Sequence, residues 1–212
     1  SYVDLELPSG ILWATCNVGA TQPEEYGDYF CWGYPKAIKK GEYIVWQTYL
    51  EKLGGEGTSE EDCGTDKDPW KDYVFGGSKF KFETEAGTPD CIGATEWDAA
   101  KYNWQGGWRM PSYAEFEELL ENTEFSMDEL NGVQVAKLVS KRNGQCLYFP
   151  LAGYIDEDRV YGTESAGYYY VSTADTEYPD ECWYMNCSSY GVYMSYDDRY
   201  YAQSIRAVIV KQ

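Results

Sequence analysis

Apolar and polar residues alternate in short stretches punctuated by Gly, Asn and Pro, and the period changes clearly in one interval. Between residues 113 and 121, Phe116, Leu119 and Leu120 recur at i, i+3 and i+4 while Glu115, Glu117, Glu118 and Glu121 fall largely outside that stripe, which predicts an amphipathic helix. Ser112 followed three residues later by Glu115 is capping-box spacing, and Pro111 closes the extended Trp108-Arg109-Met110 run before it. In several other stretches the period is two. Residues 2–7 and 11–18, joined through Ser9-Gly10, read as a hairpin. Asn131-Gly132 and Asn143-Gly144 are turn signals, and strands are expected at 133–140 and 145–151. Four more strands are expected at 167–172, 182–187, 192–196 and 204–210, the last apolar almost throughout and therefore central. Residues 24–33 read as a short helix or strand end, and 96–101 as one helical turn. Residues 35–95 carry no clear period and read as a long, irregular insertion with a short strand or helix near 43–53. No repeat or linker divides the chain, so residues 1–212 are expected to form one domain around one core, α+β in class.

Charge and composition narrow the functional classes. Asp and Glu number 36 against 17 Lys and Arg, a net charge of -19, which argues against nucleic acid and anionic membrane surfaces as partners. No apolar run approaches the roughly 20 residues that a membrane-spanning helix needs. Histidine is absent, which removes Ser-His-Asp and Cys-His catalysis and the usual zinc ligand sets. The seven cysteines show no C-x-x-C spacing, and their odd number leaves at least one unpaired in a monomer. Cys16 and Cys146 are expected as buried small hydrophobes, and a Cys63–Cys91 bridge is one pairing open to the chain. The acidic run from Glu60 to Asp68 lacks EF-hand spacing and reads as a solvated loop. Neither a metal nor a cofactor is implied. The chain begins at Ser1 without Met or a signal segment and is expected to be a processed or shortened piece.

Five segments in order carry a resemblance: residues 2–21 (YVDLELPSGILWATCNVGAT), EEYGDYFCWG, GGWRMPSYAEFEELL, FPLAGY, and the closing Arg-x-x-x-x-Ser-Ile-Arg-Ala-Val. Together they resemble the bacterial "major paralogous domain" proteins of the C-type-lectin-like superfamily, which also holds the formylglycine-generating enzymes. The resemblance implies a C-type-lectin-like fold of short antiparallel strands with one or two helices, and much less about activity. Ala202 departs from the pattern where Gly is usual, and Ala207 where Pro is usual.

Eleven of the 22 tyrosines lie between Tyr161 and Tyr201, interleaved with Ser, Asn, Asp and Gly. Were 182–187 a strand, Trp183, Met185 and Cys187 would face the core and Tyr184 and Asn186 the other way. The expected ligand face is then Tyr184, Asn186, Ser188, Ser189, Tyr190, Tyr193, Ser195, Asp197, Asp198 and Tyr200. Tyr offers a large, rigid contact at low entropic cost while Ser, Asn and Asp adapt their hydrogen bonds, as in antibody paratopes. The same composition suits plain strands and turns. The residues thus point to a non-catalytic, extracellular or cell-surface binding domain for a protein or glycan, with residues 35–95 as a second rim. The resemblance adds variable proteins diversified by retroelements as one version of this reading. The alternative is a fixed, calcium-independent carbohydrate-binding module, since the calcium–sugar motifs of animal lectins are missing. A third reading takes Cys182-x-x-x-x-Cys187 as resembling the copper(I) pair of formylglycine-generating oxidases. Five-residue spacing puts those thiols on opposite faces of a regular strand, and the flanking motif is absent.

Overall fold

The capping box is formed as the sequence spells it. Ser112 Oγ accepts from the Glu115 amide at 3.2 Å, and the Glu115 carboxylate accepts from the Ser112 amide at 2.8 Å. The same carboxylate takes both arms of the Arg109 guanidinium, at 2.9 and 2.5 Å. Just upstream, the buried Asp98 carboxylate accepts from the amides of Ala94, Lys101 and Met110, so one acid caps a short helix and fixes the strand-like entry to the next. Arg109 in turn bridges its backbone to Val208, tying this segment to the end of the chain.

The computed structural model describes residues 1–69, 91–175 and 177–211. The helices are α1 (Trp46–Leu53), α2 (Ala99–Trp104) and α3 (Tyr113–Glu121), with a 3₁₀ turn at Glu60–Asp62. The strands are β1 (Tyr2–Val3), β2 (Ile11–Ala14), β3 (Phe30–Cys31), β4 (Thr123–Leu130), β5 (Val133–Ser140), β6 (Cys146–Pro150), β7 (Tyr154–Asp156) and β8 (Arg159–Tyr161). There follow β9 (Ala166–Ala174), β10 (Glu181–Ser188), β11 (Gly191–Asp198), β12 (Ala202–Gln203) and β13 (Val208–Val210). They form four sheets, ordered β1-β2-β13, β11-β10-β9, β3-β12-β7-β8 and β4-β5-β6. Among the described residues no helix is long and apolar enough to cross a membrane.

This architecture corrects the α+β, C-type-lectin-like expectation. The described structure is mostly β, 38% strand against 14% helix, with four small antiparallel sheets. The described helices, of 8, 6 and 9 residues, are too short to make a layer. The chain leaving α3 pairs at once with β5, in register from Thr123↔Ser140 to Leu130↔Val133. The closing segment is also corrected: β13 is an edge strand and β2 is central to that sheet. Within the expected insertion, α1 is ordered and buries Tyr49 and Leu50, and residues 70–90 lie outside the described part.

Two aromatic cores flank the β9–β10–β11 sheet. On one side Trp13, Phe116, Phe149 and Tyr169 meet Met185 and Cys187; on the other Trp32, Ile92, Met110 and Tyr170 meet Cys182 and Tyr184. All seven cysteines are free, so the Cys63–Cys91 bridge is not formed. Cys91 instead donates to Ser172 Oγ at 3.0 Å, and Cys63 lies 3.5 Å from the Arg199 guanidinium. Cys16 and Cys146 are only half-buried; the buried thiols are Cys31, Cys91, Cys182 and Cys187.

Two arginines of the last segment are wholly buried. Arg199 pairs with the equally buried Asp68 at 2.7 Å; burial works against its charge, and this carboxylate holds the proton in place. Among the described residues Arg206 has only neutral acceptors: Asn17 Oδ1 at 2.7 and 3.1 Å, and the carbonyls of Tyr148 at 2.8 Å and Ala14 at 3.3 Å. Its guanidinium lies 4.6 Å from the centre of the Phe149 ring.

Candidate functional site

The β10–β11 register fixes which side chains share a face. Tyr184 stands opposite Ser195, Asn186 opposite Tyr193 and Cys182 opposite Asp197, with Tyr168 and Tyr170 on β9 completing that face. Residues expected on one open surface divide into two groups. Tyr184 (7% exposed), Asn186 (5%) and Ser188 are buried, which corrects their place in the ligand face. Strand β10 is central in its sheet and covered on both sides, so alternation along it does not separate core from solvent. Ser189 and Tyr190 are exposed at the hairpin tip, Tyr193 is half exposed (51%), and Ser195, Asp197, Asp198 and Tyr200 are half-buried. Trp183, expected in the core, is only partly buried and lines a hollow of about 340 Å³ with Ser112, Tyr113, Ala114 and Thr173.

A second group of rings, from another sheet, joins the open group. Gly153 and Gly167 bridge in parallel, bringing the β7–β8 hairpin against β9. Gly153 has φ +68°, and a Cβ there would collide with the Tyr161 carbonyl; one on Gly167 would lie 2.7 Å from Cys187 Sγ. This approach puts Tyr154 at the centre of a cluster, 5.8 Å from Tyr161, 5.0 Å from Tyr168 and 5.2 Å from Tyr201 between ring centres. Tyr168 continues to Tyr184 at 5.5 Å, and Tyr201 to Tyr200 at 4.6 Å. Tyr200 donates to Asp156 at 3.2 Å and meets Trp46 of α1 at 5.0 Å. The patch therefore comprises Tyr154, Tyr161, Tyr168, Tyr193, Tyr200 and Tyr201, with Asp156, Ser195 and Asp197 among them. Sequence reading missed Tyr154 and Asp156, whose only local cue is the Gly153 bend in FPLAGY.

Electrostatics within the patch are one-signed. Burial, then repulsion from Asp156, raises the Asp197 carboxyl above its ordinary value. Burial comes first for the phenols too, with Asp197 contributing: Tyr184 and Tyr201 are each pushed up to about 12. At the far end of the hairpin Glu181 faces Asp198 across the strands. Burial and the neighbouring acids push Glu181 from 4.5 up to about 7, and Asp198 up to about 6. Between roughly pH 4.5 and 7 the folded state holds a proton at Glu181 that the unfolded chain has released, so stability falls as pH rises through that window. Glu181→Gln is expected to raise the Tm at pH 8 by roughly 2–4 °C, about 1 kcal/mol after solvent screening, and to change little at pH 4.5. Calorimetry at the two pH values checks this; an unchanged Tm at pH 8 would count against the repulsion.

The two candidate copper ligands lie apart. Cys182 belongs to one core cluster and Cys187 to the other, on opposite faces of β10, and burial pushes the Cys187 thiol up to about 12. Among the described residues no three Asp, Glu or Cys side chains converge to hold a metal ion. No family model, curated protein or solved structure matches the chain.

Proposed function

We propose that this chain is a non-catalytic ligand-binding domain, of the adhesin or receptor kind displayed outside the cell, that captures a partner on the tyrosine patch. The observation that carries the reading is the patch itself. Five tyrosines from two sheets and their connections touch one another ring to ring, and strand pairing sets Tyr193 on the same face, yet Tyr161 and Tyr193 remain 41% and 51% exposed. Rings immobilised before binding lose little entropy on contact, and Ser195, Asp156 and Asp197 supply hydrogen-bonding groups between them. The buried thiols are poor nucleophiles, which supports binding over covalent chemistry. The reading needs no diversification of the segment.

Paired substitutions separate surface from core. Tyr161→Ala with Tyr193→Ala is expected to shift Tm by less than about 2 °C, because exposed side chains contribute little to stability. The same variant is expected to lose capture of whatever protein or glycan the wild type selects from an array. Tyr184→Ala is expected to cost about 3–5 kcal/mol as a buried aromatic truncation. Capture that survives the double substitution would place the binding face elsewhere.

A further inference from the structure

Asp197 stands among the rings. It shares the sheet face of Tyr168, Tyr184 and Tyr193 by register, and its charge also reaches Tyr154 and Tyr201, which belong to the segments packed over that face. Among the described residues its carboxylate forms no ion pair, and it accepts one hydrogen bond, from the Asp198 amide at 2.9 Å. Nearby cations are committed elsewhere. Arg159, cross-strand from Asp156, pairs with Asp158 on an exposed turn, and the Arg199 guanidinium is inside the core with Asp68. A half-buried carboxylate with no counter-ion among the described residues, set on a tyrosine-bearing sheet face in a chain of net charge -19, is unsatisfied in one specific way.

We propose that the tyrosine patch recognises a guanidinium group, the arginine side chain of a partner protein, with Asp197 as its counter-ion and the surrounding rings as its stacking surface. This rests on the ligand-binding reading and names the partner's chemistry. Arginine fits better than lysine for two reasons. A planar, weakly hydrated cation lies flat on aromatic faces, whereas an ammonium keeps its water. The rings around Tyr154 are also inclined to one another, at 69° to Tyr168 and 54° to Tyr201, so the patch offers a planar cation ring faces beside ring edges. The guanidinium fork can donate to the carboxylate while its plane covers a ring. A glycan would leave the charge unanswered.

The test uses the whole chain and three small probes: N-acetyl-arginine methylamide, the neutral citrulline counterpart and the lysine counterpart, titrated while tyrosine ring signals are followed by NMR. The arginine probe is expected to move the signals of Tyr154, Tyr168, Tyr193 and Tyr201 and to bind roughly tenfold or more tightly than citrulline. Asp197→Asn, isosteric and half-exposed, is expected to remove that preference without changing the Tm by more than about 2 °C. Equal binding of arginine and citrulline, a preference that persists in Asp197→Asn, or no arginine response up to about 50 mM, a level chosen to exceed millimolar affinity, would overturn the proposal. Lysine binding as tight as arginine would overturn its guanidinium part. A partner selected on the array that depends on Tyr161 and Tyr193 but not on Asp197 would leave the binding domain standing and remove this inference alone.

Discussion

Arg206→Ala is expected to leave the domain largely unfolded at ordinary temperature. The side chain is wholly buried and ties its own segment to two others: the end of β2 and its exit, through the Ala14 carbonyl and Asn17, and β6, through the Tyr148 carbonyl. Its loss removes three sets of charge-assisted hydrogen bonds, strands buried acceptors without donors, and opens a void beside Phe149 and Tyr169. Each stranded acceptor costs about 1–3 kcal/mol and the void adds to that. A total of about 5 kcal/mol is comparable with the whole stability of many domains. Lysine is not a remedy, since one ammonium cannot reach acceptors arranged for a fork, so Arg206→Lys should lose about 2–4 kcal/mol on the same grounds. Urea denaturation followed by tryptophan fluorescence checks both. A midpoint for Arg206→Ala within experimental error of the wild type would mean that this network is replaceable.

Asp68→Ala is the second large effect. Removing one member of a fully buried ion pair leaves the other charge uncompensated, which costs about 3–5 kcal/mol. The setting is severe here, because Nε and Nη1 of Arg199 already lack hydrogen-bond partners among the described residues. Asp68 also accepts from the Gly64 amide at 3.0 Å, so its loss loosens the loop that carries it. Combining Asp68→Leu with Arg199→Met should return most of the stability, since two apolar side chains of similar volume need no solvation. A double-mutant cycle measures the coupling, expected at about 2 kcal/mol or more for neighbours in one network. Strict additivity of the two single losses would show that the pair is not a unit.

The elements that sequence reading located were those with local causes. Helix α3 follows from the Ser112–Glu115 box and the Phe116, Leu119, Leu120 stripe, and β5 from its alternation after Asn131-Gly132. Strand β4 was missed because Glu124, Ser126 and Asp128, interleaved with Phe125 and Met127, look like an acidic loop until β5 pairs with them. Strands β7 and β8 are three residues each and depend on the Gly153–Gly167 bridge, a contact no local window contains. The same limit governed the binding face. Alternation correctly separated Tyr184 from Met185, but whether the Tyr184 side meets water depends on the segments that pack over it. Tyr193 and Ser195, one strand nearer the edge, remain open on that same side. Arg199 and Arg206 belonged to the quoted closing pattern, yet nothing in it distinguished buried cations from surface ones.

The placement of β13 has a consequence in time. Strand β2 lies between β1 and β13, and the Asn17–Arg206 bond joins residues 189 positions apart. That sheet cannot close, nor the buried guanidinium find its acceptors, until residues 206–210 have been synthesised. Contacts of such separation are slow to form because almost the whole chain must be ordered as a loop before they repay its entropy. During synthesis the earlier β4–β5–β6 meander can assemble from neighbours alone, while the face of β2 that awaits β13 stays uncovered. Until residues 208–210 emerge, the unpaired edge of β2 is open to edge-to-edge pairing with other chains.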